Sequence, residues 1–95
     1  MTVYVDRLQP GRVKGQRAEK WCHMIADTLD ELHAMADAIG HRREWFQASP
    51  PASFPHYDMV ASRRERAVRL GAIELGRYDF VMTMRRIRAS AKDRS

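Results

Sequence analysis

Residues 21–40 read WCHMIADTLDELHAMADAIG, a strand-length apolar run that passes directly into a capped helix. In Trp21–Ala26 a period of two sends Trp21, His23 and Ile25 to one face and Cys22, Met24 and Ala26 to the other. Asp27 and Thr28 are helix-capping residue types, and Glu31 stands three after Thr28 as in a capping box. Leu29, Leu32, Met35, Ala36 and Ile39 then form one stripe of a 3.6-residue period, and Gly40 sits where a helix C-terminus needs a left-handed residue.

Working outward, Thr2–Val5 is a β-branched and aromatic run that ends at Asp6, and it predicts a first strand. Residues 7–18 carry Pro10, Gly11 and Gly15 and predict a loop. Glu44–Gln47 predicts another short strand. Residues 48–55, with Pro50, Pro51 and Pro55, exclude a helix interior. His56–Val60 reads as a short strand or an extended approach to a second helix, capped by Ser62 with Glu65 three residues on and ended by Gly71. Ala72–Leu75 predicts a last strand. Val81, Met84 and Ile87, beside Phe80, predict a terminal helix. Alternating strands and helices imply βαβ crossovers. The expected architecture is α/β: a small single domain over residues 1–84, with a mainly parallel sheet of four or five strands and about three helices. Residues 85–95 are expected to be a basic C-terminal tail, partly helical or frayed.

Ninety-five residues suit one domain with one core. No apolar run approaches the ~20 residues that span a bilayer. The first residues resemble no signal peptide, and Cys22 is the lone cysteine; both point to a cytoplasmic chain. The net charge of +5 is concentrated. Residues 7–20 carry Arg7, Arg12, Lys14, Arg17 and Lys20 against Glu19. Residues 85–95 carry Arg85, Arg86, Arg88, Lys92 and Arg94 against Asp93. Such segments attract phosphate-bearing partners, or they are simply solvated surface. Arg63, Arg66 and Arg69 line one face of the second helix, which suits solvent better than nucleic acid with Asp58 and Glu65 nearby.

In open α/β sheets, ligands bind beyond the carboxyl ends of the strands. That edge collects Asp6, Asp27, Gln47, His56, Tyr57 and Asp58, and His23 lies on the second strand. Asp6, His23, His56 and Asp58 are the catalytic candidates, because these side chains move protons or bind divalent metals. His23, His56 and Asp58 are the metal-ligand candidates, although no zinc signature is present. His56 and Asp58, two apart, share a strand face. Arg12 and Lys14 in the loop GRVKG, with Gln47 and Tyr57, are the ligand-binding candidates. The bland alternatives make Asp6, Asp27 and Asp58 turn or cap residues, His33 a helix-flank residue, and Trp21, Trp45 and Phe46 core rather than base-stacking residues. His41 favours a helix C-terminus and needs no further role.

These residues resemble those of the bacterial and phage family known as domain of unknown function 4031. The resemblance rests on V-Y-V-D at 3–6, H-M at 23–24, A-D-T at 26–28, E-L-H at 31–33, I-G at 39–40, W-F-Q at 45–47, H-Y-D at 56–58 and R-A-x-x-x-G-A at 66–72. It covers roughly residues 1–75. It implies a small α/β domain with no established activity, and family-characteristic polar positions at Asp6, His23, Asp27, His33, Gln47, His56, Tyr57 and Asp58. Two functional readings fit. One is a His/Asp site for a small phosphate-bearing ligand, with a divalent metal as cofactor and metal-assisted hydrolysis as chemistry. The other is a non-enzymatic, phage-type accessory protein that meets nucleic acid or a host protein through its basic segments; neither involves a membrane.

Overall fold

The computed structural model describes residues 2–93. Strands β1 (Val3–Val5), β2 (Trp21–Ala26), β3 (Tyr57–Val60) and β4 (Ile73–Glu74) form one sheet in the order β3-β2-β1-β4. Three helices complete the domain: α1 (Leu29–Ala38), α2 (Ala61–Arg69) and α3 (Arg77–Asp93). The small α/β domain is as expected, but the sheet is mixed rather than mainly parallel. β2 runs antiparallel to both β1 and β3, and β4 pairs parallel with β1. The connections explain the difference. Parallel neighbours need a crossover of a dozen or more residues, usually helical, whereas antiparallel ones accept a loop. Residues 6–20 contain no helix, so β2 returns antiparallel beside β1. α2 instead carries the chain from β3 across to β4 at the far edge.

The strand expected at Glu44–Gln47 is absent. Arg43–Trp45 forms a 3-10 turn, and Gln47 makes an isolated antiparallel bridge to His56. A strand would send Trp45 and Phe46 to opposite faces. The turn lets both pack on the same core.

α1 starts as its sequence dictates. The Thr28 hydroxyl oxygen accepts the Glu31 N–H at 3.2 Å, and Glu31 also reaches back to the Thr2 N–H. At its other end Gly40 takes φ +72°, which an L side chain adopts only with strain. Arg63 donates to the Gly40 carbonyl and Arg66 to that of Ile39, at 3.3 Å for the latter. Two arginines of the basic α2 face therefore close the C-terminus of α1, where cations complement the helix dipole. Ser62 does not cap α2. The helix begins at Ala61 without a side-chain cap, and the Ser62 N–H and hydroxyl both donate to Glu19.

The period-two alternation of β2 splits the core into two layers. Cys22, Met24 and Ala26 pack with Val3, Val5, Tyr57 and Met59 beneath α1 and α2. Burial there pushes the Cys22 thiol up to about 12, so the thiol is a packing group. On the opposite face Ile25 and Tyr4 pack with Phe54 and with Phe80 and Ile87 of α3. α3 runs unbroken past residue 84. Arg86 donates to the Tyr4 hydroxyl and the Asp27 carboxylate at 2.8 and 2.9 Å, and Arg88 to the Ser53 carbonyl at 2.8 Å. Burial raises the Asp27 carboxyl, but the bonds from Arg86 and Tyr4 outweigh it and hold the group below its usual range. Asp27 thus fastens α3 to the sheet. Arg94 lies outside the described residues. No described helix is long and apolar enough to cross a membrane.

His41, 3% exposed, is a buried polar residue of the first layer. Its Nε2–H donates to the Asp58 carbonyl at 3.0 Å, and its ring packs edge-on to Trp45 and Tyr57. Burial pushes the imidazole down to about 4. The unfolded chain takes up this proton near pH 6.5, while the folded chain resists it. The resulting stability is complete above pH 6.5 and is lost as the pH falls from 6.5 towards 4, at up to about 1.4 kcal/mol per pH unit. Urea unfolding is expected to show a lower midpoint at pH 5 than at pH 7. His41→Phe should shrink that difference, and an equal difference in the variant would contradict the assignment.

Candidate metal centre

Three neighbouring strands bring the polar residues into one row. His23 on β2 stands opposite Asp58 on β3, and Asp6 follows β1 beside His23. His56, two residues before Asp58, shares its face. All four lie on the side of the sheet covered by α3. The ring centroids of His23 and His56 are 5.5 Å apart. His23, His56 and Asp58 each offer one ligand atom within 4.8 Å of the others.

Each of these side chains is held at its far side. The Asp6 carboxylate accepts the His23 main-chain N–H with one oxygen and the His23 Nδ1–H with the other, both at 2.7 Å. His56 Nδ1–H donates to the Phe54 carbonyl at 2.7 Å. Gln47 donates to Asp58 Oδ2 at 2.6 Å. With both Nδ1 protons engaged, a neutral ring keeps its lone pair on Nε2. These two Nε2 atoms face Asp58 Oδ1, at 3.9 Å from His23 and 3.3 Å from His56. Asp58 Oδ1 is buried and has no hydrogen-bond partner among the described residues.

Acceptors this close repel one another unless a positive charge lies between them. A proton on His56 meets the need in part. Burial lowers the His56 imidazole, but the Asp58 side chain and the Phe54 carbonyl outweigh it and raise the group above its ordinary value. Burial likewise raises the Asp58 carboxyl, while His56 and Gln47 hold it below its usual range. A divalent cation meets the same need more completely. Metal–nitrogen and metal–oxygen bonds of ~2.0–2.2 Å at tetrahedral angles place ligand atoms about 3.4 Å apart. Of the separations from Asp58 Oδ1, that to His56 Nε2 is already 3.3 Å and that to His23 Nε2 is 3.9 Å, and all three ligand atoms lie within 4.8 Å of one another. Imidazoles that ligate metals usually donate their other N–H to a carboxylate or carbonyl, as His23 and His56 do here.

The row opens into a cleft of about 620 Å³. Asp6, His23 and His56 line it, Arg7 and Arg77 supply positive charge, and Ile25, Phe54, Phe80 and Met84 contribute apolar surface. A second hollow of about 220 Å³ is lined by Arg12, Lys14, Trp21, Trp45, Gln47 and Asp58, with Val13 and Gln16.

Asp6, His23, His56, Asp58 and Gln47 therefore come together. Arg12 and Lys14 border the second hollow rather than the cleft. Tyr57 points to the opposite face, fully buried, where its hydroxyl meets His33 Nδ1 at 2.9 Å. Tyr57 and His33 thus belong to the core beneath α1, away from the cleft. Arg7 enters the sequence reading only as part of the basic segment 7–20, and sequence reasoning missed Arg77, which no motif marks. It also missed His41 and Gln16, both of which donate to the Asp58 carbonyl and steady that residue from behind.

The chain is a mixed four-stranded α/β domain whose sheet gathers His23, His56 and Asp58. Residues 3–87 match the family described as protein of unknown function (DUF4031), and the chain belongs to that family. The match reaches Ile87, so part of the basic terminal helix lies within the family domain. No curated protein and no solved structure matches the chain.

Asp6→Asn is expected to destabilise the fold by about 1–3 kcal/mol in urea unfolding, because one of the two His23 donors then faces an amide N–H₂ instead of an acceptor. An unchanged midpoint would contradict the bridging role of Asp6.

Proposed function

We propose that His23, His56 and Asp58 hold a divalent first-row metal ion, such as zinc, and that a small phosphate-bearing ligand docks against it in the cleft. The observation that carries the reading is the convergence of two Nε2 lone pairs and the unpartnered Asp58 Oδ1, with every opposite atom of these groups already bonded. Two imidazoles and one carboxylate are a common catalytic ligand set that leaves room for water or substrate. Asp6 is a positioning residue: it fixes the tautomer and the orientation of the His23 ring. Arg7 and Arg77 favour an anionic ligand at the mouth.

Metal-assisted hydrolysis of a phosphate ester is the chemistry that this arrangement suits. A divalent ion held by His23, His56 and Asp58 would supply a water of lowered pKa as the nucleophile. The water oxygen forms the new P–O bond, the ester oxygen leaves with the electrons of the broken one, and it takes the proton that the water gave up.

Thermal unfolding with and without zinc tests the centre. At a free concentration of about 100 times Kd, a site confined to the folded state adds about 2.7 kcal/mol. In a domain of this size that corresponds to a rise in Tm of at least about 10 °C. The rise should be lost in both His56→Ala and Asp58→Asn. It should also weaken as the pH is lowered, because His56 binds its proton more tightly than a free imidazole does. No rise in the parent, or an equal rise in both variants, would overturn the reading.

A further inference from the structure

The second hollow is a neighbour of the proposed centre. Asp58 and Gln47 form its wall, and Trp21, on its rim, packs edge-on against His23 at 4.9 Å between ring centroids. Its other wall is the basic loop, which the structure pins at several points. Gln9 and Trp21 exchange two main-chain hydrogen bonds of 2.8 and 3.0 Å. The Gln16 side chain bridges the Asp58 carbonyl and the Val60 N–H at 3.0 and 3.2 Å. Gly11 lies so close to Trp21 that an added Cβ would stand 2.7 Å from the indole Nε1, and one on Gly15 would stand 3.4 Å from that of Trp45. Both glycines have positive φ, so the loop presents bare backbone to two indole edges.

The charges are also arranged. Arg17 in this loop pairs with Glu19. Arg12 and Lys14, both exposed, have no carboxylate partner among the described residues, and the same holds for Arg7 and Arg77 at the cleft. The centre thus lies between two cation pairs that have no carboxylate partner among the described residues: half-buried Trp21 and Trp45 stand beside Arg12 and Lys14, whereas the rings beside Arg7 and Arg77, Phe54 and Phe80, are buried in the core. A lone phosphate would use one flank. A chain of phosphodiesters with intervening planar bases would use both, since groups that track a phosphate backbone with aromatic rings beside them are what single strands need.

We infer that the ligand of this site is single-stranded nucleic acid, with one phosphodiester at the His23/His56/Asp58 centre and the adjoining nucleotide in the Trp21/Trp45 hollow. The inference rests on the proposed metal centre for its middle contact and adds the two flanks. Arg12 and Lys14 hold the neighbouring phosphate, and the hollow accepts the base or sugar attached to it.

Trp21 and Trp45 are the two tryptophans of the chain, so intrinsic fluorescence reports on this hollow. The zinc-loaded protein is titrated with an oligothymidylate of about eight nucleotides, a length within the usual range for such sites. Its duplex with oligoadenylate, and thymidine monophosphate, are titrated in parallel. The expected result is a fluorescence change at least about tenfold tighter for the single strand than for either comparator. In the double variant Arg12→Ala/Lys14→Ala the slope of log K against log salt should flatten by about 0.7, for the one phosphate contact that is lost. The zinc-induced rise in Tm should be unchanged in that variant. No fluorescence change, equal response to the mononucleotide, tighter binding of the duplex, or an unaltered salt slope would each overturn the inference. Failure of the metal centre is separately visible as loss of the zinc effect in the parent.

Discussion

The Asp6 carboxylate is the bond on which the site depends. Its two oxygens span from the end of β1 to β2 and take both the main-chain and the ring N–H of His23 at 2.7 Å. One oxygen replaces a main-chain carbonyl in the sheet ladder where β1 stops at Val5. The other decides which ring nitrogen carries a proton. Arg64 of α2 in turn donates to the Asp6 carbonyl at 2.9 Å while pairing with Glu74 of β4 at 2.8 Å. One carboxylate thereby links the sheet geometry to the chemistry of an imidazole.

From that bond the remaining features fall into order. The register places Asp58 opposite His23, and the strand period places His56 on the same face. Gln47 arrives through its bridge to His56 and holds the outer oxygen of Asp58. α3 covers the apolar half of the same face with Phe80 and Ile87 and leaves the polar row open. The buried, unpartnered oxygen at the centre is costly. A cation between the three acceptors removes that cost, which ties the proposed function to an energetic fact about the fold.

Much of this was legible in the sequence because it obeys local periodicity. Trp21–Ala26, the capped α1 and the shared face of His56 and Asp58 all follow from repeats of two or 3.6 residues. The same period would have sent Tyr57 to the opposite face, where it lies. The strand directions were not legible, since they depend on which strands become neighbours, and only the helix-free stretch 6–20 hinted at an antiparallel return. The 3-10 turn at Arg43–Trp45 arose from two adjacent aromatics that needed one core. The roles of Arg63, Arg66 and His41 are contacts between distant segments, which spacing along the chain does not encode.

Hydrogen bonds at Nδ1 hold both imidazoles with their Nε2 atoms turned towards Asp58 Oδ1. Nitrogen-15 correlation spectra of the histidine rings test this arrangement most directly, taken without metal at a pH above the titration of His56. His23 and His56 should carry their proton on Nδ1 and leave Nε2 bare. A spectrum in which either ring carries its proton on Nε2 would contradict it.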